Sequence, residues 1–326
     1  MLQKTMTILA NIPPGTHLPE GEDCFDEDEI AQIGQLLARL VYAPSGLRKK
    51  LQSYGVTLTR SDFYSEIPTI EDLEQSASRA RPLKLDGLFP APAIMRAFLT
   101  ELDGYAADFR PPMVSDDPHR FAWQNGSFTF SDALAYYAMI RRYRPRTVLE
   151  LGSGMSTLVA MEALKANGEG RLICVEPFPS DMLRMLPGIT LMTHKAQELD
   201  DDFLNRHLTA GDILFIDTTH TVRHESDCLH IYLRLLPKLT CATYVHAHDI
   251  FLPDGLPLHL MRDHQIFWNE QYLLYALLLE NPDTRILYGS AWHTRHNRQG
   301  LEAFMRGRFA PGGASFWFSR TPGKPG

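Results

Sequence analysis

Seven short apolar runs, separated by segments with helical spacing, organise the chain from residue 147 to residue 319. The runs are 147–151, 171–175, 189–193, 212–216, 242–246, 285–288 and 315–319. They are too short for buried helices and suit strands covered on both faces. Helices are expected at 132–142, 156–166, 181–186, 225–236 and 268–280. Strand, helix and strand in alternation force parallel strands joined by helical crossovers. The expected fold class is therefore α/β, with a doubly wound, seven-stranded, mostly parallel sheet.

The chain before this region reads differently. Ile30, Ile33, Leu37, Leu40 and Val41 recur at helical spacing, a second helical segment covers 46–53, and no strand pattern stands out. Arg81-Pro82 and Arg110-Pro111-Pro112 break the chain. Residues 1–114 are expected to form a tail and a mostly helical N-terminal cap, and 115–326 the α/β core. Residues 1–27 and 321–326 read as loose tails.

Composition sets outer limits. The 326 residues are 44% hydrophobic and 22% charged, with a formal net charge of −7. No long Lys/Arg run occurs, and the short cluster Arg48-Lys49-Lys50 reads as the solvated end of a helix, which argues against a nucleic-acid partner. No run of about 20 apolar residues suggests a membrane partner. Cys24, Cys174, Cys228 and Cys241 show neither paired nor zinc-ligand spacing, and no signal-peptide pattern is apparent. A reducing, cytoplasmic setting is the expectation.

The first strand runs straight into Gly152-Ser153-Gly154 and a helix. In a doubly wound sheet this turn is where a nucleotide sits, because glycine lets the backbone close and the ligand approach. Glu176 ends the second strand, 22 residues after Gly154, where a carboxylate can accept from both ribose hydroxyls. Thr157 stands where the dinucleotide fingerprint has its third glycine. That weakens a nicotinamide reading and suits a cofactor without phosphate.

Glu150-x-Gly152-x-Gly154, followed by an acid at the end of the second strand, resembles the cofactor motif of class I S-adenosylmethionine-dependent methyltransferases. Phe215-Ile-Asp217-Thr-Thr-His220 resembles the fourth-strand motif of the methyltransferases grouped with cephalosporin hydroxylases and macrolide-sugar O-methyltransferases. Val245-His246-Ala-His248-Asp249-Ile-Phe-Leu-Pro253, Trp268-Asn-Glu-Gln-Tyr-Leu-Leu274 and Phe63-Tyr-Ser-Glu-Ile-Pro68 resemble a bacterial branch of that group. The resemblance implies a Rossmann-like methyltransferase core and S-adenosylmethionine as cofactor. Glu150, Gly152, Ser153, Gly154, Ser156, Thr157, Glu176 and Gln197 would line it, with Asn125 and Asp132 near its methionine end. It also implies O-methylation of a small-molecule acceptor, a natural product or sugar. Phe63-Tyr64 would help the cap close the acceptor pocket, and the cap's aromatic residues leave a homodimer open.

Seven of the 13 histidines fall between His220 and His264. Ligands in this fold bind at the C-terminal strand ends, which brings Asp217, His220, His246, His248 and Asp249 to one rim. By the resemblance, Asp217, His248 and Asp249 fall where related methyltransferases bind a divalent metal such as Mg, Mn or Fe. The alternative is a metal-free general base, His220 or His246, working beside Asp217. Rival functions are a nicotinamide-dependent oxidoreductase, a metal-dependent hydroxylase and a non-catalytic scaffold.

Overall fold

A computed structural model describes residues 26–78 and 85–322. The expected tail up to residue 25, Cys24, Arg81-Pro82 and the last four residues lie outside the described residues. The chain divides into two compact units, Met1–Ser76 and Ala77–Gly326. This differs from the expected boundary at 114/115. The helix Pro92–Ala106 buries Met95, Leu99, Leu102 and Ala106 at three- and four-residue spacing, and it packs on the helix Phe130–Tyr143 of the second unit.

In the first unit the helices are Glu27–Val41, Ser45–Gln52 and the start of Ile70–Ser78, with no strand among the described residues. The first begins with a capping box: Glu29 N–H donates to the Asp26 carboxylate (2.8 Å), and Asp26 N–H donates to the Glu29 carboxylate (3.2 Å). Phe63 and Tyr64 belong to this unit, with ring centroids 3.9 Å apart and both side chains exposed.

All seven expected strands form in the second unit. They are β1 Thr147–Leu151, β2 Arg171–Val175, β3 Ile189–Met192, β4 Ile213–Ile216, β5 Thr243–Ala247, β6 Thr284–Gly289 and β7 Phe316–Arg320. Their order is β3-β2-β1-β4-β5-β7-β6, with β7 antiparallel to both neighbours. Chain order reverses beside β1, so a crevice opens beyond the ends of β1 and β4. Strand alternation sorts the side chains. Val148, Leu172, Ile213 and Phe215 face the helices Phe130–Tyr143 and Met155–Asn167. Leu149, Ile173, Leu214 and Val245 face the helices around 203–207, 227–238 and 270–278.

Two local expectations change. The helix expected from Asp132 begins at Phe130, with Thr129 at its N-cap, and Asp132 is buried instead of capping. The helix after β4 starts at Asp227 and includes a π-helical turn, Ile231–Leu235. Cys174, Cys228 and Cys241 are unpaired. Among the described residues no helix is long and apolar enough to cross a membrane.

Candidate active site

The turn after β1 is shaped from below by one row of the sheet. Register places Cys174, Glu150, Phe215, His246 and Trp317 side by side across five strands, so all five point to the same face. Glu150 is fully buried there. Its carboxylate accepts from Thr157 Oγ1 (2.6 Å) and Tyr136 OH (2.9 Å). Burial pushes its pKa up to about 7, against the opposing pull of the Thr157 and Tyr136 hydroxyls. Thr157 Oγ1 also accepts from Gly154 N–H (3.2 Å). Glu150, Ser156 and Thr157 thus hold the turn from beneath and do not line its open side. The absent third glycine has this physical reason: Thr157 supplies the hydroxyl that Glu150 needs.

Gly152 has φ +85°, and a Cβ there would stand 1.6 Å from the Asp217 carbonyl oxygen. Only glycine lets the turn lie against the end of β4. Above it opens a cavity of about 380 Å³ whose wall includes Gly152, Glu176, Phe178, Gln197, Asp217 and Thr219. The Glu176 oxygens accept backbone N–H groups from Ser153 (3.3 Å) and Phe178 (2.8 Å). Each carboxylate oxygen has a further lone pair for a ligand hydroxyl. Gln197 reaches the wall while its amide donates to the Glu225 carbonyl (3.3 Å). Nothing lies within 4 Å of the position a Gly154 Cβ would take, which leaves the turn open to a ligand.

The ends of β4 and β5 form the rim beside this cavity. His220 Nε2 lies 3.2 Å from Asp217 Oδ1 and 3.5 Å from Asp249 Oδ2. His248 Nδ1 lies 3.5 Å from Asp217 Oδ2 and 3.6 Å from Asp249 Oδ1. Each imidazole is backed by a buried acid: His220 Nδ1 meets Glu270 Oε2 at 2.8 Å, and His248 Nε2 meets Asp132 Oδ2 at 3.3 Å. Glu270 also accepts from Tyr232 OH at 2.5 Å. His220 and Asp249 both take left-handed backbone, φ +57° and +55°. Such strain costs roughly 1–3 kcal/mol per residue and persists only where the surroundings dictate it.

Electrostatics tie the rim together. Burial lowers the His220 pKa, but its bonds to Asp217 and Glu270 outweigh that and carry it up to about 10. For His248 burial is likewise overcome, chiefly by the carboxylates of Asp217 and Asp249, and its pKa rises well above the ordinary value. Asp217 is held below the usual carboxylate range: burial opposes this, and His248 and His220 prevail. Burial instead raises Asp249. One ligand atom from each of Asp217, His248 and Asp249 falls within 4.8 Å of the others, an arrangement able to hold a metal ion.

Two further expected site residues are committed to other partners. His246 shares the inward row with Glu150. It is fully buried, stacks on Trp317 with ring centroids 4.5 Å apart, and its Nε2 lies 2.7 Å from Ser315 Oγ. Burial depresses its pKa well below the ordinary value. Strand parity would put His246 and His248 on one face, but β5 ends at Ala247, so His246 stays inside the sheet and His248 turns into the rim. Asn125 is consumed by its own turn. It donates to the carbonyls of Ala122 and Phe128 and accepts from Ser127 and Phe128 N–H. Asp132 does reach the rim, through His248. Glu270 and Tyr232 were not singled out in the sequence, although an acid opening the apolar run Glu270–Leu278 was a usable sign.

A methyltransferase-domain family model matches residues 149–250, the stretch from β1 to the rim. An uncharacterized protein of Archaeoglobus fulgidus is 32% identical over 130 residues, which cover 37% of this chain and 59% of that protein. Solved structures with similarity include the O-methyltransferase TomG of Streptomyces achromogenes, involved in tomaymycin synthesis and solved with S-adenosylmethionine. It is 14% identical, covering 69% of this chain and 90% of that one, with TM-score 0.37. An O-methyltransferase of Bacillus cereus, solved with S-adenosylhomocysteine, is 13% identical over 78% and 100%, with TM-score 0.35.

Proposed function

We propose that this chain, whose residues 149–250 match a methyltransferase-domain family model, transfers the methyl group of S-adenosylmethionine to a hydroxyl of a small-molecule acceptor, a natural product or sugar. The observation that carries this reading is the cavity between the Gly152 turn and Glu176, which runs on to Asp217 at the rim. Glu176 binds the ribose hydroxyls, and Gln197 and Phe178 stand where the adenine lies. The backbone of Gly152 to Gly154 meets the methionine end, directing the methyl group to the strand ends.

The rim prepares the acceptor. Asp217, His248 and Asp249 are suited to a divalent ion, since His248 Nδ1 is buried without a hydrogen-bond partner and faces both carboxylates. Four carboxylates, Asp132, Asp217, Asp249 and Glu270, meet only two imidazoles there, so a cation also fits the charge. A bound ion would lower the pKa of the acceptor hydroxyl and fix its orientation. In its neutral form His220, with Nδ1–H on Glu270, presents Nε2 to the acceptor's proton. Its base role needs no metal and stands as the alternative for the rim.

The cations Lys195 and Arg223 on the cavity wall favour one rival, a phosphate-bearing nicotinamide cofactor. Calorimetric titration with S-adenosylmethionine and with NADH decides between the two. Saturable binding of S-adenosylmethionine alone is expected; binding of NADH alone would overturn the reading.

A further inference from the structure

The rim histidine His248 is locked from behind. Its Nε2 lies 3.3 Å from Asp132 Oδ2, and its Nδ1 is the buried nitrogen without a partner that faces Asp217 and Asp249. Asp132 is itself immobile. Its oxygens accept from Ala314 N–H (2.9 Å), Ser315 N–H (3.0 Å) and Ser290 Oγ (2.5 Å). The chain also closes over it: Gly313 has φ +108°, and a Cβ there would come within 2.3 Å of Asp132 Oδ1. Phe128 walls the imidazole on another side, with ring centroids 5.0 Å apart.

Both Asp132 oxygens already accept backbone N–H groups, and an acceptor facing His248 Nε2 calls for the proton on that nitrogen. In the neutral form that binds a metal, His248 then carries its lone pair on Nδ1, directed between the two rim carboxylates. Metal-binding histidines are oriented in this way by a partner that takes the other N–H. One imidazole nitrogen with two carboxylates is also a donor set for a first-row transition ion, whereas Mg prefers oxygen ligands alone.

We propose that Asp132, buried behind His248 and not part of the cavity wall, is the positioning residue that fixes the His248 tautomer and thereby makes the rim select a transition ion such as Mn(II) over Mg(II). This rests on the metal reading given above. The test titrates Mn(II) and Mg(II) into the metal-stripped full-length protein and its Asp132→Asn variant, with S-adenosylhomocysteine titrated as a check on the fold. Asn can donate to Nε2 and so reverse the tautomer. The wild type is expected to bind Mn(II) more tightly than Mg(II). The variant is expected to lose Mn(II) affinity by roughly 10- to 100-fold, with S-adenosylhomocysteine affinity retained. Wild-type Mn(II) affinity in the variant, or Mg(II) preferred by the wild type, overturns the inference and leaves the metal reading standing. Failure of the wild type to bind Mn(II), Fe(II), Co(II) or Mg(II) sinks both. Should the variant not fold, nitrogen-15 spectra of the Zn(II)-loaded wild type decide: a proton on His248 Nε2 with Nδ1 on the metal supports the role, and the opposite arrangement refutes it.

Discussion

Glu176 and His246 mark the two ways a polar residue near a strand end is used here. Glu176 follows β2 and lines the cavity, with lone pairs to spare after its two backbone bonds. Glu176→Ala should weaken S-adenosylhomocysteine by about 1.5–3 kcal/mol, because two ribose hydroxyls lose a charged acceptor. Calorimetry reads this directly, and undiminished affinity would separate Glu176 from the cofactor. His246 lies inside β5 and spends its Nε2 on Ser315. His246→Leu should cost about 1–3 kcal/mol of stability by leaving that buried hydroxyl unpaired, with S-adenosylhomocysteine binding preserved in the folded protein. Denaturant unfolding supplies the first number and titration the second. The residue pattern alone did not separate His246 from His248. The two share a strand parity, and the distinction lies in where the strand stops, with His246 inside β5 and His248 beyond its end.

At the scale of elements, Glu150 ties β1 to two helices, through Tyr136 of Phe130–Tyr143 and Thr157 of Met155–Asn167. Its folded pKa, raised from 4.5 to about 7, means that the folded state holds a proton the unfolded chain releases. The stabilisation from that proton is complete below pH 4.5 and is lost as pH rises through about 7. A shift of this size is worth on the order of 3 kcal/mol. Glu150→Gln should remove this slope between pH 5 and 8, which urea unfolding of both proteins at each pH would show. The strands themselves were legible because buried parallel strands are near-continuous apolar runs, as in Asp212-Ile-Leu-Phe-Ile216. The helix Pro92–Ala106 was less so: its apolar spacing is regular, but it lies between the breakers Arg81-Pro82 and Arg110-Pro111-Pro112 and itself opens on a proline. Pro92 is in fact at the helix start, where its missing N–H costs nothing.

For the whole molecule, every cofactor and rim residue named here belongs to the unit Ala77–Gly326. The glycine turn and its acidic partner were readable as a spaced pair, and so was the Asp217, His248 and Asp249 constellation. The supporting acids were not. Asp132 precedes β1 and Glu270 follows β5, and only the wound sheet brings them behind His248 and His220. The central claim is that the cavity above Gly152 holds S-adenosylmethionine. A crystal structure of the full chain with S-adenosylhomocysteine tests it most directly. The ribose hydroxyls are expected on the Glu176 carboxylate, the adenine between Phe178 and Gln197, and the sulfur end directed toward Asp217. A ligand seated elsewhere, or one whose ribose does not touch Glu176, would contradict it.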